Sequence, residues 1–242
     1  MSGETRMVAL ETSTRAGRLA LAEDGRVVAE ADFPGLAADL VAALDEATRA
    51  AGAALQSPYG RSTSWPPESI NLVALSIGPG SFTGLRIAVM FARTFAWRTG
   101  AKLVAVPTLR VIAENAPHEE QTIGVITDAQ RGGAYWAAYH CGADGALVCV
   151  LGESVGEAEE AAQQLPRDAY LIGDGLERYG RTFAPWRQAE HSLWLPRAAV
   201  VAALGWRKHL AGEHVAAERL EPLYVRRPAP EEVWERRQRG GR

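Results

Sequence analysis

The chain has 242 residues, 47% hydrophobic, 23% charged and 7% aromatic, with a formal net charge of −3. This excludes a disordered, collagenous or disulfide-stapled protein. It also excludes a global basic field that would hold nucleic acid unaided. The apolar runs are a few residues long against the ~20 that cross a bilayer. No apolar signal segment precedes the first strand pattern, and only two cysteines occur, so a cytoplasmic protein with no membrane partner is expected.

In chain order, residues 7–10 form a short apolar strand ending at Glu11, and a small polar turn follows over 12–17. Strands 19–21 and 27–29 flank the hairpin turn Asp24-Gly25. Residues 36–51 read as a helix with Leu36, Leu40, Leu44 and Ala47 on one face and Gly52 as its stop. The Pro-, Ser- and Gly-rich stretch 56–68 reads as an exposed loop. Residues 72–77 are a nearly continuous apolar strand, the kind buried on both faces of an α/β sheet. A glycine-rich turn over 78–84, a helix over 85–99, a strand over 103–106 and a short helix over 109–115 capped by Thr108 follow.

A second unit opens with strand 122–127 ending at Asp128, then a polar turn, a strand over 134–140, the turn Asp144-Gly145 and a return over 147–150. Cys141 and Cys149 flank this turn, and Cys141 falls opposite about Ala146, so two free thiols are expected. Ser154 and Glu157 have capping-box spacing for a helix reaching Leu165. Strand 170–172, the turn Gly173-Asp174-Gly175, a helix from Pro196 to about Gly212 and an arginine-rich tail complete the chain.

Sliding the chain by 117 positions places Glu11 on Asp128 and Leu19 on Trp136, and the strand, acid, turn and hairpin keep step. This predicts a duplicated α/β fold with the two strand-terminal turns facing across a cleft. The acids at those turns can hold a metal, orient water or merely brace the turns, and turn amides can bind phosphate.

The stretch Gly78-Pro79-Gly80-Ser81-Phe82-Thr83-Gly84-Leu85-Arg86 links the buried strand to a helix. Its spacing is neither a Walker A loop nor a dinucleotide fingerprint. The helix N-terminus can bind an anion, and a packing role for the turn stands beside that. The helix carries Gly84, Ala88, Ala92, Ala96 and Gly100 at four-residue spacing, with Ile87, Phe91 and Phe95 in a second row. One sheet needs only one apolar stripe, so the helix is either wholly buried or presents a side to a partner.

Val8 to Thr14, the stretch from Gly78 to Arg86, Pro107-Thr108-Leu109, Asp128-Ala129 with Tyr135-Trp136, and Glu221 to Arg226 together resemble the TsaB (YeaZ) family across nearly the whole chain. The resemblance implies the duplicated actin/Hsp70/sugar-kinase (ASKHA) fold with a reduced second subdomain. It implies a non-catalytic scaffold in the formation of N6-threonylcarbamoyladenosine at position 37 of ANN-reading tRNAs. The partners it implies are the catalytic relative TsaD, the ATPase subunit TsaE, tRNA through the complex, and a second copy of the chain in isolation. It places the partner interface on the two helices, at Leu40, Leu44, Ala47, Gly84, Ile87, Ala88, Phe91, Ala92 and Phe95. The small-residue ridge is then a docking surface.

Glu11, Ser13, Gly78, Gly80, Ser81 and Asp128 are candidate nucleotide-loop residues, with ATP and Mg²⁺ expected only within the complex and no intrinsic cofactor. No catalytic residue is assigned. The alternative is a stand-alone ASKHA-type ATPase or small-molecule kinase. The catalytic relative holds its metal with a His-x-x-x-His pair; here His209 and His214 are five apart on different helical faces, so no metal site is expected. Residues 1–116 are read as the first subdomain, 117–225 as the second and 226–242 as a flexible basic tail.

Overall fold

Two sheets of one design organise the chain, seen in a computed structural model that describes residues 4–34, 37–54, 65–117, 119–130 and 132–225. In the first, β1 (Arg6–Glu11), β2 (Gly17–Glu23) and β3 (Arg26–Phe33) form an antiparallel meander. The chain then crosses through helix α1 (Ala37–Ala54) to β4 (Ile70–Ser76), parallel to β1, and through α2 (Phe82–Thr99) to β5 (Lys102–Val106), parallel to β4. The strand order is β3-β2-β1-β4-β5.

After the short helix α3 (Thr108–Ala113) the pattern repeats with β6 (Thr122–Asp128), β7 (Ala134–Cys141) and β8 (Leu147–Gly156). Helix α4 (Ala158–Gln164) leads to β9 (Tyr170–Ile172), parallel to β6, in the order β8-β7-β6-β9. The predicted offset of 117 superposes β1 on β6 and β2 on β7, so the duplication read from the sequence is a property of the fold.

Alternation along the strands explains the layering. Val8 and Leu10 of β1 face one core, covered by Leu40, Ala47, Ala88 and Ala92 of α1 and α2. Met7 and Ala9 face the opposite core, covered by helix α6 (Ala198–Leu210) through Ala198, Val201, Ala202 and Leu204. This corrects the expected division at residue 116: α6 closes the bare face of the first sheet, and Leu220 enters the core under α1 and α2. The second sheet packs Ile126 and Trp136 against α4 and α5 (Gly175–Tyr179), and Val125 and Ala137 against α3. Asn115, just after α3, ties the two crossings between units together. Its Nδ2 donates to the carbonyls of Leu193 and Leu195 at 3.0 and 2.9 Å, and its Oδ1 accepts from Arg197 Nε at 2.9 Å.

Several boundaries differ from expectation. Helix α1 runs past Gly52 to Ala54. Thr108 lies inside α3 and makes no cap; its hydroxyl instead accepts from the Gly78 N–H at 3.1 Å. The capping box is Glu157 with Glu160, because pairing with β7 holds Ser154 within β8. Within the expected exposed loop Trp65 is buried, with Arg6 over its ring, while Pro66, Pro67 and Glu68 are exposed. The rest of that loop, Leu36 and the basic tail lie outside the described residues. The cysteines are free, with Cys141 paired to Leu147 and Cys149 to Tyr139.

Candidate functional site

The adjacent parallel strands β1 and β4 end side by side, so the turns that follow them interlock. Glu11 ends β1 fully buried, and its Oε1 accepts from the Ser13 N–H at 2.7 Å and the Ser13 hydroxyl at 2.5 Å. The Ser13 carbonyl in turn accepts from the Ser81 N–H at 2.6 Å. Two glycines permit this approach. A Cβ at Gly80 would stand 2.5 Å from the Ser13 carbonyl, and one at Gly84 would run into the Thr12 carbonyl. Ser81 caps α2 by accepting from the Gly84 N–H at 3.3 Å. The turn thus brings Glu11, Ser13, Gly80 and Ser81 together, with Gly78 bonded to Thr108 behind them.

Burial pushes the Glu11 carboxyl above its ordinary value of 4.5, against the opposing pull of the Ser13 and Ser76 hydroxyls, the Ser13 amide and the Arg18 charge. Glu11 Oε2, Thr12 Oγ1 and Ser76 Oγ make no hydrogen bond of good geometry among the described residues, although the Ser76 hydroxyl lies near enough to Glu11 to oppose the upward push of burial.

Asp128 occupies the matching place in the second unit. Its Oδ1 accepts from the Gln130 N–H at 2.8 Å, as Glu11 accepts from Ser13 two residues on. Its own N–H donates to Asp174 Oδ1 at 3.1 Å, and Arg178 lies 3.8 Å from its Oδ2. The Asp174 carboxyl is raised by burial and by the charge of Asp128. Both strand-end acids therefore brace the turn that follows them.

The helical face divides differently from expectation. Leu40, Ala47, Gly84, Ala88 and Ala92 lie beneath α1 and α2 against their own sheet. Gly84, Ala88 and Ala92 of the small-residue ridge seat α2 against its own chain, whereas Ala96 is half-buried and Gly100 is exposed at the helix end. Leu44, Ile87, Phe91 and Phe95 are half-buried at the edge of that core, with Phe91 and Phe95 stacked at 5.5 Å. The outward side of the same layer carries Val41 at 59% exposure, Met90 at 59% and Trp97 at 86%. Sequence reasoning passed over Val41 and Trp97. The signal was the stripe Arg86, Met90, Arg93, Trp97, which follows helical spacing on the face opposite the ridge.

The histidine expectation also changes. Helix α6 ends at Leu210 and the chain turns back, so His209 Nδ1 and His214 Nε2 come within 3.0 Å. Among the described residues no three His, Cys, Asp or Glu side chains form a group. Among them, too, no helix is long and apolar enough to cross a membrane.

A family model described as "TsaD: tRNA N6-adenosine threonylcarbamoyltransferase" matches residues 61–173. The chain is 30% identical over 166 residues to the tRNA threonylcarbamoyladenosine biosynthesis protein TsaB of Escherichia coli (strain K12), covering 65% of this chain and 71% of that one. Against the TsaB of Bacillus subtilis (strain 168) it is 28% identical over 179 residues, covering 69% and 75%. A solved Pseudomonas aeruginosa structure, described as an uncharacterized protein with similarity to peptidase YEAZ, matches with a TM-score of 0.77 and 26% identity over 92% of this chain and 100% of that one. YeaZ from Pseudomonas aeruginosa matches with a TM-score of 0.74 and 25% identity over 91% and 99%. These likenesses and the twinned sheets establish the duplicated actin/Hsp70/sugar-kinase-type α/β fold. With this identity, coverage and fold in agreement, the chain belongs to the TsaB (YeaZ) family.

Proposed function

We propose that this chain is the non-catalytic accessory subunit of the assembly that forms N6-threonylcarbamoyladenosine in tRNA, and that it docks a TsaD-type catalytic chain on the outward face of α1 and α2. The observation that carries this reading is the exposure of Val41, Met90 and Trp97 on that layer, beside the half-buried Leu44, Ile87, Phe91 and Phe95. Large apolar side chains left in water mark contact surfaces, and aromatic anchors dominate their energetics. The buried ridge supports the same reading indirectly. By seating α2 closely on β4, it gives the outward stripe a rigid base, so little ordering remains to oppose association.

In this account a second copy of the chain covers the face when the catalytic chain is absent. TsaE, ATP with Mg²⁺ and tRNA join only through the complex. The test is co-elution of the chain with its TsaD-type partner on a sizing column. A shared peak is expected; separate elution at micromolar concentrations overturns the docking proposal.

A further inference from the structure

We propose that His209 and His214 form a two-nitrogen chelate for a late first-row divalent metal ion: Cu²⁺, Ni²⁺ or Zn²⁺. A spacing of five puts the two rings on different faces of a continuous helix, but α6 stops between them. The stop is a left-handed turn at Gly212 (φ 75°). The Gly212 N–H donates to the His209 carbonyl at 3.0 Å and the Glu213 N–H to the Lys208 carbonyl at 2.9 Å, a double closure of the helix end. His214 is thereby turned back over the last helical turn, and its Nε2 comes within 3.0 Å of His209 Nδ1.

Both rings are held in place by the chain itself. His209 stacks on Trp206 with ring centroids 5.5 Å apart, and Trp206 lies against Gly25, where a Cβ would stand 2.4 Å from the indole. On the other side, the Val215 N–H donates to the Leu103 carbonyl at 2.9 Å, so the residue after His214 is tied to β5. Little ordering then opposes binding. His214 is exposed and His209 half-buried, so an ion reaches the pair from solvent and water fills its remaining positions.

Burial first, and then neighbouring charge with Lys102 among it, holds both imidazoles below the ordinary 6.5. Both are therefore neutral at pH 7, the form that ligates. One ring donates its proton to the other in the free chain. On metal binding that proton moves to the far nitrogen of its own ring, so none is released.

The donor set decides the ligand class. Neutral imidazole suits Cu²⁺, Ni²⁺ and Zn²⁺, whereas Mg²⁺ and Ca²⁺ take oxygen ligands. Two nitrogens 3.0 Å apart, each about 2.05 Å from a shared ion, subtend about 90–95°. That lies nearer the right angle of Cu²⁺ and Ni²⁺ complexes than the ~109° of tetrahedral Zn²⁺. Glu213 is paired with Lys208 at 2.5 Å and is not counted as a ligand. The Lys102 charge opposes a cation, so the affinity expected is roughly micromolar. The ion would clip the return segment onto α6, which lies across the first sheet from α1 and α2. The inference therefore does not rest on the docking proposal.

The test is calorimetric titration of the untagged, metal-free chain with NiCl₂, ZnCl₂ and MgCl₂. One Ni²⁺ or Zn²⁺ per chain and no Mg²⁺ is expected. At a hundredfold excess over the dissociation constant, the melting temperature should rise by about 5 °C or more. His209→Ala and His214→Ala should each weaken binding by about tenfold or more and lose most of that rise, each compared with the same variant free of metal. His191→Ala should bind as wild type does. With CuCl₂, electron paramagnetic resonance should show two equatorial nitrogens. Absence of saturable binding of all three transition metals at millimolar concentration overturns the proposal. So does binding that survives both variants, an equal loss in His191→Ala, or a single equatorial nitrogen on Cu²⁺.

Discussion

Replacing Glu11 by Gln should stabilise the folded chain at neutral pH. The native carboxyl is fully buried, and one oxygen, Oε2, makes no hydrogen bond of good geometry among the described residues, nor does the Ser76 hydroxyl. Glutamine keeps the Oε1 acceptor for both Ser13 bonds and can turn its amide toward Ser76. One added neutral hydrogen bond contributes about 1 kcal/mol. Glutamine also avoids the cost of ionising a desolvated carboxyl, so a gain of about 1–3 kcal/mol is expected. At roughly 2–4 °C per kcal/mol for a chain of this size, the melting temperature rises by several degrees.

The pH dependence has a definite sign. The folded-state pKa of Glu11 lies above its ordinary 4.5, so the native state holds the proton more tightly than the unfolded chain. Its contribution to stability is full below about pH 4.5 and is lost as pH rises through the folded value. Thermal melts followed by circular dichroism from pH 4.5 to 8 should therefore show the advantage of Glu11→Gln widening with pH. An equal or lower melting temperature at pH 8, or a difference independent of pH, would refute the reasoning.

Gly84→Ala should destabilise the chain by roughly 1–3 kcal/mol, because the new Cβ runs into the Thr12 carbonyl and backbone cannot step aside; a melt within 1 °C of wild type would contradict the close approach. Asn115→Ala removes all three bonds that tie the two inter-unit crossings. With roughly 1–3 kcal/mol for each buried group left unpaired, the urea midpoint should fall clearly, and an unchanged midpoint would show the tie to be dispensable. His209 and His214 both sit below the usual 6.5, through desolvation first and then, for His209, the His214 and Lys102 charges and, for His214, Lys102. Their contribution is present above pH 6.5 and lost as pH falls through the folded values, so His214→Ala should flatten the acid side of the stability profile.

Local pattern made the strands and the duplication legible, since the acid, the polar turn and the hairpin recur at one offset and alternation within β1 and β6 is strong. The placement of α6 was not legible. An apolar helix announces that it covers something, but chain order does not say which sheet has a bare face. The ridge from Gly84 to Ala92 shows the same ambiguity: small residues declare a close approach without declaring the neighbour, and here the neighbour is the chain's own β1 turn and sheet. Trp97 was passed over because one aromatic on a helix end carries no period by itself. Glu11, Ser13, Gly80 and Ser81 were grouped from their motifs, but the interlocking of their turns was not legible, because only the parallel pairing of β1 with β4 brings Ser13 against Ser81.

The docking account is tested most directly by the affinity of the chain for its TsaD-type partner, compared between wild type and Trp97→Glu. Trp97 is 86% exposed and touches no core, so the variant should melt as wild type does. An aromatic anchor at such a surface is worth about 2 kcal/mol or more, so the dissociation constant should rise by about thirtyfold or more. An unchanged dissociation constant for both Trp97→Glu and Met90→Glu would place the partner elsewhere and contradict the account.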